Sequence, residues 1–372
     1  MKAPTSNFLI DQLSIIYLVV SQNYKKTAFL VLIIKTMTAR NLNQINIENY
    51  RFEVHNYTGI CPKNVIELNP IEINCGYNCI YCLVNNGLHN EIQVIDNYEL
   101  KVKDILEQKR NENTFFYFSP KSEALQEATL KTGAAHKIIK TFIEHYTKFP
   151  DSKVRLFIAS KAGVDQINYK YKGDSILYLM SLISGKVQFN TSLALMPEDI
   201  RIRIELNTPT IDERLEAVCL LQENGILAES VLMQPIITTY CNEISVFNFM
   251  TTIHKSGLQN IKPEFLTTTK ENIIKVGEII GSVNKTEQDA FYHDYFSLVN
   301  QSHIKHNDRL APERDICKEK LELISTIAES MDISISICNW VRKELSINSN
   351  IIKYRNERNY ECLGYKTTLF NQ

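Results

Sequence analysis

Apolar and polar positions change period along the chain, and the changes divide it. From residue 64 onward, short runs rich in Val, Ile and Phe alternate with longer stretches whose apolar positions recur every three or four residues. Unbroken apolar runs predict buried strands over 114–119 (TFFYFS), 154–160 (VRLFIAS) and 187–195 (VQFNTSLAL). Similar runs predict strands over 226–237, 260–265 and 65–74, the last interrupted by Pro70. Between them the helical period predicts helices over 98–110, 131–146, 175–183, 210–224 and 243–256. In the second of these Ile138, Ile139, Phe142 and Ile143 share a face. The fourth has Pro209 before it and Gly225 at its end, the expected start and stop signals.

Strands alternating with helices make βαβ units and a parallel sheet. Six units are too few to close an eight-fold barrel. The expected fold class is therefore α/β, an open, partial (β/α)6 TIM-like barrel. After residue 267 the alternation weakens into helices over 271–283, 286–301 and 314–331, with a short strand at 333–337. The expected organisation is a lead-in over 37–63, a core over 64–266 and a mostly helical C-terminal region over 267–372. Residues 1–36 hold two short apolar runs split by Lys25 and Lys26, neither of them as long as a membrane span needs. They read as an extension, with Met37 a plausible true start. The tail over 357–370, with its aromatics and Cys362, is expected to pack on the body.

Composition narrows the function. With 44% apolar and 22% charged residues the chain is no disordered protein, and a net charge of -1 lacks the basic excess of a dedicated nucleic-acid binder. Nine cysteines is an odd count, and Cys75, Cys79 and Cys82 crowd into one short stretch. Clustered thiols in a chain this large read as metal ligands in a reducing compartment, here the cytoplasm, with no stable membrane partner.

These three cysteines carry the main chemical signal. Their spacing is C-x3-C-x2-C, directly after a strand. Three thiolates on a tight loop suit three irons of a [4Fe–4S] cubane and leave the fourth open. A structural zinc site more often closes with two C-x2-C pairs, and no second pair exists in the sequence.

The spacing resembles the signature of the radical SAM superfamily. That resemblance implies a [4Fe–4S] cluster whose open iron chelates S-adenosylmethionine. It also implies an external electron donor such as flavodoxin or ferredoxin, and a 5′-deoxyadenosyl radical that takes hydrogen from a substrate. Tyr81, before the third cysteine, matches an aromatic that packs near the adenine. Later segments resemble the spore photoproduct lyase branch, the DNA repair photolyase-like proteins. These are Glu205 with Pro209, the ERLEA run at 213–217, Asn224-Gly225-Ile226, Pro235-Ile236-Ile237, IASKAGVDQI at 158–167 and VQFNTSLA at 187–194. The resemblance covers roughly residues 64–265.

By this resemblance Lys161 and Ser192 contact the cofactor. Ser122 and Glu123, after the second strand, stand where the family has a Ser and an Asp. Ser122 and Ser192 suit ribose or aminoacyl groups, Lys161 a carboxylate, and Glu123 ribose hydroxyls or an ammonium. Asn190 shares the strand face of Ser192 by period two. Two positions depart from the pattern. The family's hydrogen-donating cysteine aligns with Pro120, which has no thiol, and Leu83 stands where the repair enzyme has a tyrosine.

The cofactor side thus matches and the substrate side does not. The expectation is a radical SAM enzyme acting on a peptide, a small metabolite or a modified nucleotide. Lesion repair in DNA and a non-catalytic iron–sulfur or zinc-binding role are the alternatives. Cys241, Cys338 and Cys362 are candidates for an alternative hydrogen donor or a second cluster, and Cys219 for core. His303, Lys305, His306 and Arg309 form a mild basic stretch that reads as a solvated face.

Overall fold

The structure is a computed structural model that describes residues 41–45, 54–55, 64–84, 91–297, 303–306, 309–338 and 345. The expectations for residues 1–36, Met37, Cys362 and the tail lie outside these residues. Among the described residues no helix is long and apolar enough to cross a membrane.

The main sheet is built from β1 (Val54–His55), β2 (Asn64–Leu68), then β5 (Thr114–Phe118), β6 (Arg155–Ser160), β7 (Val187–Leu195), β8 (Leu227–Ile236), β9 (Asn260–Phe265) and β12 (Ser334–Ile335). Its order is β12-β9-β8-β7-β6-β5-β2-β1. The β1–β2 pair is antiparallel and every other pair is parallel. Two short strands, β3 (Ile71–Ile73) and β4 (Glu91–Ile95), pair antiparallel beside it.

Helices make the crossovers. They are α1 (Tyr98–Lys109), α2 (Glu127–Lys131), α3 (Ala134–Lys148), α4 (Val164–Asn168), α5 (Ile176–Ser181), α6 (Glu198–Ile204), α7 (Ile211–Glu223) and α8 (Glu243–Lys255). After β9 come α9 (Lys270–Gly281), α10 (Lys285–Phe296), the hairpin β10 (His303–His306) and β11 (Arg309–Glu313), and α11 (Arg314–Ser330). The start of α7 shows why the sequence signals worked. Thr210 accepts a hydrogen bond from the N–H of Glu213, whose carboxylate accepts the N–H of Thr210 in return.

Strand periodicity sorts the two faces of the sheet. Phe116, Phe118, Leu156, Ile158, Phe189 and Leu193 join the main core under the helices. On the other face Val65, Phe115 and Phe157 form a small apolar patch, and around it the face turns polar. Gln188 donates to Asn190 (2.8 Å) and Asn260 to Ser230 (3.2 Å), all four fully buried. Strands buried on both faces explain why β7 reads as one unbroken run.

The structure corrects two expectations. The single strand over 65–74 is two strands, because the N–H of Asn69 bonds to the Tyr98 hydroxyl (2.8 Å) and Pro70 has no N–H to continue the ladder. Its second half pairs with β4, which the apolar pattern did not reveal. The helix over 131–146 is broken at Gly133, whose φ of 74° is left-handed and where a Cβ would collide with the Tyr171 ring. Within the short strand expected over 333–337 lies β12, which pairs with β9 and extends the main sheet beyond the six alternating strands.

Candidate functional site

The cysteine loop leaves β3 through Asn74 and crosses the C-terminal ends of the barrel strands. Asn74 (φ 65°) and Asn78 (φ 55°) are left-handed, a conformation Asn tolerates better than most residues. The loop closes on itself through N–H bonds from Asn78 to the Cys75 carbonyl (3.4 Å) and from Cys82 to the Cys79 carbonyl (3.0 Å).

Distant segments fasten its backbone. The N–H of Gly76 donates to Gln126 Oε1 (2.8 Å), and Asn207 donates through Nδ2 to the Gly76 carbonyl (3.1 Å). The N–H of Ile80 donates to the carbonyl of Ile204 (2.9 Å). Thr268 Oγ1 donates to the Tyr81 carbonyl (2.8 Å), and Asn272 reaches that of Cys82 (3.4 Å). A loop tied at so many points holds its side chains with little ordering left to be done on binding.

Cys75, Cys79 and Cys82 open onto one cavity of about 370 Å³. Burial pushes the Cys75 thiol up to about 12 and that of Cys79 higher. The far wall is made by the strand ends expected from the sequence: Ser119 to Glu123 after β5, Ser160 and Lys161 at the end of β6, and Ser192 on β7. Pro120 and Leu83 also line it. Among the described residues no three His, Cys, Asp or Glu side chains converge on a single metal ion. A cubane asks something different, one iron for each thiolate.

The polar wall suits a ligand. The hydroxyls of Ser119 and Ser122 are shielded from solvent and have no hydrogen-bond partner. Such groups are costly to leave unmatched. Ser192 makes only a long bond to the Gln234 carbonyl (3.5 Å). Donor set and orphaned hydroxyls together fit a cluster with a polar organic ligand beside it.

Glu123 lines the cavity as expected and is also bonded within the chain. One carboxylate oxygen accepts from Ser160 Oγ and from the N–H of Leu125 (3.3 Å), the other from the N–H of Lys161 (2.9 Å). Burial raises its pKa against these bonds. Its main task is to shape the turn after β6, and about one of the carboxylate's acceptor positions remains beyond these three donors. Asn190 does not line the cavity. It lies two residues below Ser192, fully buried and bonded to Gln188.

Glu205 carries the part of the site that sequence reasoning missed. It is fully buried at the end of α6. Arg214 Nη2 donates to Oε2 (2.6 Å), as does Arg201 Nη1 (3.3 Å). The Tyr81 hydroxyl donates to Oε1 (2.5 Å), and Lys161 Nζ lies 3.9 Å from that same oxygen. Arg201 is also gripped by both oxygens of Glu198, and Arg214 Nη1 donates to the Ser192 carbonyl (2.9 Å). Burial alone would raise the Glu205 pKa; Arg214, Lys161 and the bond from Tyr81 outweigh it and hold the carboxyl at about 2.

Tyr81 is thus anchored at its tip, with Lys161 Nζ 5.8 Å from its ring centroid. The sequence contained Glu205 and Pro209 as a segment, but no local pattern marks that carboxylate as the hub of a charge network.

A second cavity of about 300 Å³ adjoins the first, sharing Tyr81, Leu83, Gln234, Thr267 and Arg309 as walls. Arg309, expected on a solvated face, is half-buried here. Cys338 and Cys317 line this second cavity, whereas Cys241 is buried in the main core and lines neither. Cys219 is only partly buried. The side chains of His303, Lys305 and His306, and all of Cys61, lie outside what is described.

No protein-family model matches the chain, and no curated protein matches it in sequence. Solved structures do match in fold. Spore photoproduct lyase complexed with dinucleoside spore photoproduct superposes with a TM-score of 0.53 at 15% identity, over 79% of this chain and 81% of that one. A cysteine-to-alanine mutant of spore photoproduct lyase gives 0.51 at 14% identity, over the same shares. The chain therefore shares its fold with spore photoproduct lyase, and that fold agrees with the open, partial α/β barrel expected from the sequence.

Proposed function

We propose that this protein is a radical SAM enzyme. The observation that carries the reading is a single cavity at the strand ends into which Cys75, Cys79 and Cys82 open opposite Lys161, Ser122 and Ser192. Cys75, Cys79 and Cys82 would hold a [4Fe–4S] cluster with S-adenosylmethionine beside it, and with a reduced flavodoxin or ferredoxin as electron source this pair would supply hydrogen-abstracting radical chemistry.

The chain's own residues bind, orient and shield. Lys161 offers a point charge to the ligand's carboxylate while Glu205 holds it from behind. Ser119, Ser122 and Ser192 supply hydroxyls to its polar groups. Glu123 fixes the turn that carries Lys161 and keeps one lone pair for an ammonium or ribose hydroxyl. Tyr81, locked by Glu205, forms an aromatic wall and separates the ligand from the core behind. Leu83 and Pro120 add apolar walls that help to exclude water.

Hydrogen abstraction from a small molecule or peptide is the favoured outcome. Repair of a nucleic-acid lesion is less supported, because the strand-end position that aligns with a hydrogen-donating thiol is Pro120. A closed zinc site is a further alternative, and the metal content separates it. The test is anaerobic reconstitution followed by iron and sulfide analysis, with electron paramagnetic resonance of the reduced protein before and after adding S-adenosylmethionine. About four irons per chain, and a spectrum altered by S-adenosylmethionine, are expected. Stoichiometric zinc, or a full cluster whose spectrum ignores S-adenosylmethionine, contradicts the reading.

A further inference from the structure

We propose that the second cavity is the substrate pocket, and that it takes a small carboxylate-bearing molecule with an apolar body, the carboxylate resting on Arg309. This rests on reading the first cavity as the cofactor site, and it names the substrate class for that site.

The pocket lies where a substrate must lie. It shares a wall with the cysteine cavity, so a molecule inside it is next to whatever the first cavity holds. Most of its lining is apolar: Pro235, Pro263, Phe265, Leu266 and Ala311 among others. Its size is at the low end of small-molecule sites.

The charges select the ligand. Among the described residues two ionic side chains line the pocket, Glu264 and Arg309. Glu264 is ion-paired with Lys262 and so neutralised. Arg309 has no ion pair or side-chain hydrogen bond among the described residues. A half-buried guanidinium facing a mostly apolar chamber favours an anion, and its planar fork matches a carboxylate oxygen for oxygen. A phosphate monoester carries nearly two charges, and this wall offers one.

Arg309 is also held in register with the cysteine loop. The neighbouring Leu310 exchanges both backbone bonds with Thr268, at 2.8 and 3.0 Å. Thr268 in turn bonds the Tyr81 carbonyl. The residue that would grip the substrate and the loop that would grip the cofactor therefore hang on one threonine. That fixes the distance between them, as a reaction between two bound molecules needs.

The experiment is isothermal titration calorimetry on the full, reconstituted chain held anaerobically, with 4-phenylbutanoate, 4-phenylbutanol and 4-phenylbutylamine as probes. Wild type, R309Q and R309K are compared, and each is also titrated with S-adenosylmethionine. The acid is expected to bind about tenfold or more tightly than the alcohol or the amine, a difference of about 1.4 kcal/mol. R309Q is expected to lose that preference and R309K to regain part of it, with S-adenosylmethionine binding retained in both. Equal binding of the three probes, or acid binding indifferent to R309Q, overturns the proposal. So does a loss of S-adenosylmethionine binding in R309Q, which would assign Arg309 to the cofactor instead. Deoxyadenosine formation by the wild type in the same preparation is read separately. If it is absent while the acid binds through Arg309, the radical reading fails and the carboxylate pocket stands.

Discussion

Tyr81 and Glu205 stand 124 positions apart in the chain and are joined by one hydrogen bond of 2.5 Å, from the phenol to the carboxylate. That bond ties the cysteine loop to the charge network of α6 and α7. Replacing Tyr81 by Phe keeps the ring and removes the donor. Hydrogen bonds to charged groups contribute about 1.5–3 kcal/mol, so Y81F should lower the stability of the metal-free chain by that order in urea unfolding. Unchanged stability would mean that the loop is held by its backbone bonds alone.

Glu205 faces three cations, Arg201, Arg214 and Lys161. Removing its charge leaves them buried against one another. Breaking one side of a buried ionic network costs about 3–5 kcal/mol. E205L should therefore fold poorly, and E205Q should be clearly destabilised in the same urea experiment. An E205Q variant as stable as wild type would refute the hub role.

The same carboxylate makes a prediction about acid. Its folded-state pKa of about 2 lies below the ordinary 4.5. A depressed carboxylate contributes stability that is complete above the unfolded value and is lost as pH falls through the folded one. Urea midpoints of the wild type should thus drop as pH is lowered from about 4.5 toward about 2, and E205Q should lack this part of the drop. Parallel curves for the two proteins would contradict it.

Ser119 and Ser122 make an opposite kind of prediction. Their hydroxyls are buried and unmatched. Alanine at position 122 removes a polar group with nothing to lose in the metal-free chain, so S122A should be neutral or stabilising by up to about 1 kcal/mol. If the hydroxyl serves a ligand, the same variant should bind S-adenosylmethionine several-fold more weakly by calorimetry. A variant that is destabilised, or that binds unchanged, argues against that role.

Much of this was legible in the sequence, for local reasons. The apolar runs of β5, β6 and β7 stand out because both of their faces are buried. Cys75, Cys79 and Cys82 share one loop, so spacing alone brings them together. Lys161 and Ser122 follow strand ends and Ser192 lies in the last half of β7, positions that any parallel barrel gathers toward one rim. Glu205 was not legible, since its importance comes from Tyr81, Arg201 and Arg214, which only the fold assembles. The three donors on Glu123 were hidden for the same reason. Arg309 looked like one member of a basic stretch until the bridge between Thr268 and Leu310 turned it toward the pockets. Strand β4 was missed because a short antiparallel pair leaves almost no periodic signal.

Radical chemistry at the three cysteines underlies every role proposed for the site. The most direct measurement is anaerobic: the reconstituted chain is reduced, given S-adenosylmethionine, and assayed for 5′-deoxyadenosine beside a C79A control. Deoxyadenosine from the wild type and none above background from C79A is the predicted result. A wild type that carries its full cluster and releases no deoxyadenosine would contradict the account.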